Sequence, residues 1–112
     1  MICFNKTQNV LVIQNVKEAR SFKERLIGLL NRKSIQPDEG LLMKPCRQIH
    51  TFFMKFAIDA VFLDKQNSVL EILTLKPFRL SAWIAKSRSV LELPTGTGKK
   101  HIKIGDVLEF KN

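Results

Sequence analysis

Tyrosine is absent from this chain, cysteine occurs twice, and basic residues outnumber acidic ones by nearly two to one. Each shortage excludes something. Two thiols, Cys3 and Cys46, cannot build the disulfide framework that staples small secreted domains. Both are therefore read as reduced thiols of a cytoplasmic protein, with Cys3 in a loose terminus. The opening residues MICFNKTQN carry neither the apolar stretch nor the cleavage pattern of a secretory signal. No apolar run reaches the ~20 residues that a membrane-spanning helix needs. Only four prolines and five glycines punctuate 112 residues, without repeats, linkers or low-complexity tracts. One domain over residues 1–112 is expected. Because tyrosine is missing, the aromatic set is eight Phe and one Trp. That apolar set suits core filling better than a polar recognition surface.

A hydrophobic fraction of 45% is ordinary for a globular protein and excludes a disordered chain. The formal net charge is +9. A charge of this size attracts polyanions without specifying one. The basic residues are scattered, with no run longer than the pairs Arg32–Lys33 and Lys99–Lys100. Scattered charge reads first as a solvated surface.

Short β-branched and apolar segments dominate the pattern. Val10–Ile13, Gly40–Met43, Val69–Leu75, Ser87–Leu93 and Val107–Phe110 read as strands bounded by turn residues. Ala60-Val-Phe-Leu63 is apolar on both faces, as a strand covered from both sides must be. Lys65–Ser68 is a polar hairpin connection. Phe22, Leu26, Leu29 and Leu30 recur at helical period within Ala19–Asn31, and Ser21 with Glu24 forms a capping box at its start. This is the one helix expected. Pro94–Lys100 is a glycine-rich loop. The resulting fold class is mostly β, an antiparallel β-sandwich or small barrel with one packed helix.

Candidate chemistry is sparse. The loop Pro94-Thr-Gly-Thr-Gly-Lys-Lys100 lacks the leading glycine and the trailing hydroxyl of a phosphate-binding loop. Its glycines are read as turn residues with positive φ. Two cysteines and two histidines are too few for a zinc site without carboxylates such as Asp59. Cys46 and His50 could pair as nucleophile and base only in a helix, since four residues of strand separate them by ~13 Å. No cofactor is implied. The most informative stretch is Ile49–Asp64, where His50, Thr51, Lys55 and Asp59 interrupt an apolar run. Lys55 and Asp59 are candidates for a buried ion pair, costly unless mutually compensated. Arg79, with Trp83 nearby, brings a cation to aromatics. Glu92 is an acid inside a strand and a plausible partner for Arg79 or Lys55.

Several pieces occur together in a recognisable order. They are Arg25-Leu-Ile-Gly-Leu-Leu30, Gly40-Leu-Leu, His50-Thr-Phe-Phe-Met-Lys-Phe-Ala-Ile-Asp-Ala-Val-Phe-Leu-Asp64, Val69-Leu-Glu-Ile72, Lys76-Pro-Phe-Arg79, Ser89-Val-Leu-Glu-Leu-Pro94 with Gly96, and Ile104-Gly-Asp-Val-Leu108. From about residue 10 to 110 the chain resembles the domain-of-unknown-function family 192, small bacterial and archaeal proteins. The resemblance implies a sandwich-like β domain with a packed helix and supplies no function. The family's characteristic positions fall on Met54, Lys55, Ile58, Asp59 and Phe62. Many relatives carry Trp at the position of Phe53, and a polar pair and a proline near Phe56 and Ala57. Many are also exported behind a signal peptide.

The expected function is a non-catalytic module binding an unidentified ligand or protein. Its candidate site is His50, Thr51, Lys55, Asp59, Arg79 and Glu92. The alternatives are a nucleic-acid-binding protein using its basic surface and a small enzyme using Cys46 or His50.

Overall fold

The computed structural model describes residues 1–21, 24, 29 and 32–112. Within them the chain forms β1 (Ile2–Asn5), β2 (Val10–Ile13), β3 (Asn15–Ala19), β4 (Glu39–Met43), β5 (Ile58–Leu63), β6 (Val69–Leu75), β7 (Ser89–Pro94), α1 (Thr97–His101) and β8 (Leu108–Lys111). The strands make a three-stranded sheet of order β2-β1-β8 and a five-stranded sheet of order β3-β4-β7-β5-β6. The sandwich-like expectation holds. The barrel alternative does not, because among the described residues the sheets remain separate and open. Every pairing is antiparallel except β3 with β4, which is parallel.

Alternation along β5 and β7 explains why the larger sheet is covered twice. Val61, Leu63, Leu91 and Leu93 join Cys3, Val12, Ile13 and Leu108 in a core between the sheets. Ile58, Ala60, Phe62 and Val90 face the other way and pack with Met43, Ile49 and Met54. All six residues of β5 are buried in consequence. Removing each such aliphatic or aromatic side chain from water contributes roughly 1.5–3 kcal/mol. The continuous apolar run Ala60–Leu63 therefore reports the two-sided cover that its composition requires.

Two expectations need correction. The N-terminus is not loose: β1 is the middle strand of its sheet, bonded to both β2 and β8. Cys3 is fully buried there, and burial pushes its thiol up to about 12. Asn5 ends β1 with its amide donating to the His101 carbonyl at 2.9 Å and to Asp106 Oδ2 at 2.8 Å. The second half of the glycine-rich segment is not loop, because Thr97–His101 is α1, entered through Gly96 at φ 93°. A left-handed residue there is what glycine tolerates without strain. The helix expected over Ala19–Asn31 lies mainly outside the described residues. Its capping box is described: Glu24 N donates to Ser21 Oγ and Ser21 N to Glu24 Oε1, each at 3.0 Å.

The hairpin between β5 and β6 forms as expected, with Asp64 Oδ1 accepting from Gln66 N and Ser68 N at 2.9 Å. No helix among the described residues is long and apolar enough to cross a membrane. The sheet ends position two loop segments, residues 46–57 before β5 and residues 76–88 between β6 and β7.

Candidate functional site

Those two segments run side by side. Thr51 N donates to Arg79 O at 2.8 Å, Ser81 N to Ile49 O at 2.9 Å, Ile84 N to Arg47 O at 2.9 Å, and Cys46 N to Arg88 O at 3.1 Å. Four of the six candidate residues lie on this ribbon: His50, Thr51, Lys55 and Arg79. Asp59 and Glu92 do not.

Thr51 is buried and locks one end of the ribbon. Its carbonyl accepts from Met54 N at 3.1 Å and from Phe78 N at 2.9 Å. The first of these closes a turn over Thr51–Met54. A second turn runs over Lys76–Arg79. There the Thr51 hydroxyl donates to the Lys76 carbonyl at 2.5 Å and accepts from Arg79 N at 2.9 Å. It stands where the turn's own carbonyl-to-amide bond would otherwise lie. One residue thus interlocks two turns.

Both turns carry phenylalanine where glycine is preferred. Phe53 has φ 65° and Phe78 has φ 61°. Each occupies the third position of its turn, where a type II geometry demands positive φ, and Pro77 precedes Phe78 as that geometry favours. A bulky residue in this region costs on the order of 1–3 kcal/mol and persists only where its surroundings impose it. The rings gain little burial in return. Phe53 is 74% exposed and Phe78 56% exposed, in edge contact with centroids 5.6 Å apart. His50 stacks on Phe52 at 5.2 Å. Trp83, further along the same ribbon, is 63% exposed. Lys55, Lys76 and Arg79, neighbours of Phe53 and Phe78 in the chain, are exposed. The expectation that the aromatics fill the core is thus corrected: of the described phenylalanines only Phe62 is fully buried.

Asp59 and Glu92 sit on opposite faces of the five-stranded sheet. Asp59 is in register with Leu93, and Glu92 with Ala60. Adjacent strand residues point to opposite faces, so the two carboxyls cannot share a site. Lys55 is exposed, and the expected ion pair with Asp59 does not form. Asp59 instead accepts from Thr74 Oγ1 at 2.8 Å, Gly96 N at 2.8 Å and Gly98 N at 3.1 Å. It fastens the start of α1 to β5. A β-carbon on Gly98 would stand 3.2 Å from Asp59 Oδ2, so glycine permits this close approach.

Glu92 lies between Leu41 and Ala60. None of the three ion pairs among the described residues includes it, so the expected partnership with Arg79 or Lys55 is also absent. Burial pushes its carboxyl up to about 7. The other two candidates have local partners. The Cys46 thiol donates to the Gln48 carbonyl at 3.3 Å, and His50 Nδ1 accepts from Phe52 N at 3.3 Å. Among the described residues no group of three or more His, Cys, Asp or Glu is placed to hold a metal ion.

The family model of DUF192, described as Uncharacterized ACR, matches residues 3–110. The chain belongs to that family. The UPF0127 protein of Pyrococcus horikoshii is 34% identical over 111 residues, which cover 95% of this chain and 96% of that protein. The UPF0127 protein of Pyrococcus abyssi is 28% identical over 97% of both chains. A crystal structure of a protein of unknown function from Novosphingobium aromaticivorans has the same fold, with a TM-score of 0.81 at 19% identity over 97% of this chain and 82% of that one. In this DUF192 member, Asp59 has a structural position and Lys55 an exposed one.

That division is measurable. Asp59→Ala removes three hydrogen bonds and strands the buried Gly98 amide, so it is expected to destabilise by roughly 3 kcal/mol. Lys55→Ala is expected to stay within about 0.5 kcal/mol of the parent in the same urea titration. Equal losses would restore the ion pair.

Glu92 sets a pH dependence. Its folded value of about 7 exceeds the ordinary 4.5. Between these limits the folded state holds a proton that the unfolded state has lost. Its contribution is therefore full below pH 4.5, falls as pH rises to about 7, and is absent above. The amount is on the order of 3 kcal/mol. Glu92→Gln carries no such proton, so its stability relative to the parent is expected to rise steadily over that interval. A difference independent of pH would show the carboxyl to be ionised when folded.

Proposed function

We propose that this chain is a cytoplasmic, single-domain, non-catalytic binding module, and that its partner is single-stranded nucleic acid. One observation carries the reading: two phenylalanines are held in strained left-handed turns with their rings in solvent. Strain retained without burial stabilises nothing in the isolated fold, which favours a surface kept for contact. Flat apolar rings accept unpaired bases of any sequence, and cations beside them accept the phosphates between the bases. Lys55, Lys76 and Arg79 supply those cations, on a chain of net charge +9. His50 extends the ring surface through Phe52, and Thr51 positions it without touching the partner. Asp59 and Glu92 then serve the scaffold.

Fluorescence anisotropy with labelled oligo-dT and oligo-U tests this. Binding is expected at low salt, weakening steeply as salt rises because phosphate contacts release counterions. The informative variants are Phe53→Gly and Phe78→Gly. Glycine relieves the positive φ, so the double variant is expected to be at least as thermally stable as the parent. It should nonetheless bind about tenfold more weakly per ring removed, as loss of roughly 1–2 kcal/mol of stacking implies. No binding of either oligonucleotide at low salt, or binding unchanged in the double variant, would refute the proposal.

A further inference from the structure

The far end of the same ribbon holds a different feature. A cleft of about 440 Å³ opens between Arg47, the hairpin after β5 and the segment leading into β7. Arg47, Lys65, Lys86 and Arg88 line it, with Asp64 as its single acid. Asp64 offsets one of the four charges and leaves a net excess of three, and its Oδ1 is engaged by the Gln66 and Ser68 amides of its own hairpin. None of the four cations takes part in the ion pairs among the described residues. Four like charges gathered at one concavity repel one another, and their combined field concentrates anions there.

The arrangement also has direction. Arg47 Nε donates to the Ala85 carbonyl at 3.0 Å, which anchors the guanidinium by one nitrogen and leaves the other two to a ligand. Arg88 N donates to Leu63 O at 2.7 Å, so that residue is tied to the end of β5. Two arginines on pinned backbone present the planar donor forks that match phosphoryl oxygens, and two lysines add mobile charge. The volume lies within the range of small-molecule sites, ~300–1,000 Å³.

We propose that this cleft is a binding site for a phosphomonoester. The chemistry is common to a small phosphorylated molecule and to the terminal phosphate of an oligonucleotide. It rests on the cleft's charge and shape alone, independent of the ring pair at the other end of the ribbon.

Inorganic phosphate titrated into the ¹⁵N-labelled protein is the first test. Saturable shifts are expected at the amides of Gln66, Ala85, Lys86 and Arg88. The double variant Arg47→Met with Arg88→Met should weaken binding at least tenfold. Removal of equal charge elsewhere, by Lys99→Met with Lys100→Met, should leave it within a factor of two. Because Arg47 also ties down Ala85, Arg88→Met alone serves as a second variant, read at the same amides. Shifts that do not saturate, that spread over the whole basic surface, or that weaken equally in both charge-removal variants would overturn the site. Competition distinguishes the sources. A sugar phosphate that displaces phosphate from the cleft assigns a small molecule. A 5′-phosphorylated oligonucleotide that does so where its unphosphorylated twin does not assigns a nucleic-acid end. This holds equally in the Phe53→Gly, Phe78→Gly protein, so failure of the ring proposal leaves the cleft's outcome readable.

Discussion

The constraint that organises this molecule is that its five-stranded sheet is buried on both faces. Along β5, and along β7 as far as Leu93, every residue is buried, so each polar group placed there must be satisfied internally or kept neutral. Asp59 meets the first condition because it lies at the start of β5, within reach of the backbone donors at the start of α1. Glu92 lies in mid-strand, beside Leu41 and Ala60, and meets the second by holding its proton up to about pH 7. The two central strands therefore offer no polar residue to a partner, whereas the loops at the sheet's ends carry exposed ones.

Thr51 converts that confinement into a shaped surface. A single buried hydroxyl stands between the ends of one turn while the same residue's backbone closes another. Neither turn would keep phenylalanine at a left-handed position on local preference alone. Each is held by the other, and both by the core on which the ribbon rests through Ile49 and Met54. Each turn is thus constrained by more than its own sequence, and pre-organisation of this kind lowers the entropy that any binding event would cost.

Much of the scaffold was legible in the sequence, and the reasons are local. Ala60–Leu63 declared its two-sided burial by lacking any polar alternation, the hairpin at Asp64–Ser68 by its polar cluster, and Gly96 by its position in a turn. β1 was not legible. Ile2–Asn5 is short, and its buried Asn5 is explained only by His101 and Asp106, about a hundred residues away. For the site, the segment His50–Asp64 drew attention, but the ion pair expected within it does not form. Lys55 and Asp59, four apart, suggest a pair only while the partners of Asp59 on α1 are unknown. Phe53 and Phe78 escaped notice because a left-handed phenylalanine contradicts local propensity. Consecutive phenylalanines at 52 and 53, and proline before Phe78, were the available signals. The cationic cleft draws on three separated segments, and no spacing pattern announces it.

The pairing of β1 with β8 ties residues 2–5 to residues 108–111. A protein emerging from the ribosome is made in the opposite order of need: its second residue waits for its hundred-and-eleventh. The three-stranded sheet, and the inter-sheet core that Cys3 and Leu108 complete, cannot close during synthesis of the stretch between them. Until then, the face of the larger sheet carrying Val61, Leu91 and Leu93 lacks part of its cover. Closure of the sandwich is therefore a late, long-range event. The interval before it is when a nascent chain of this kind is most exposed to unwanted association.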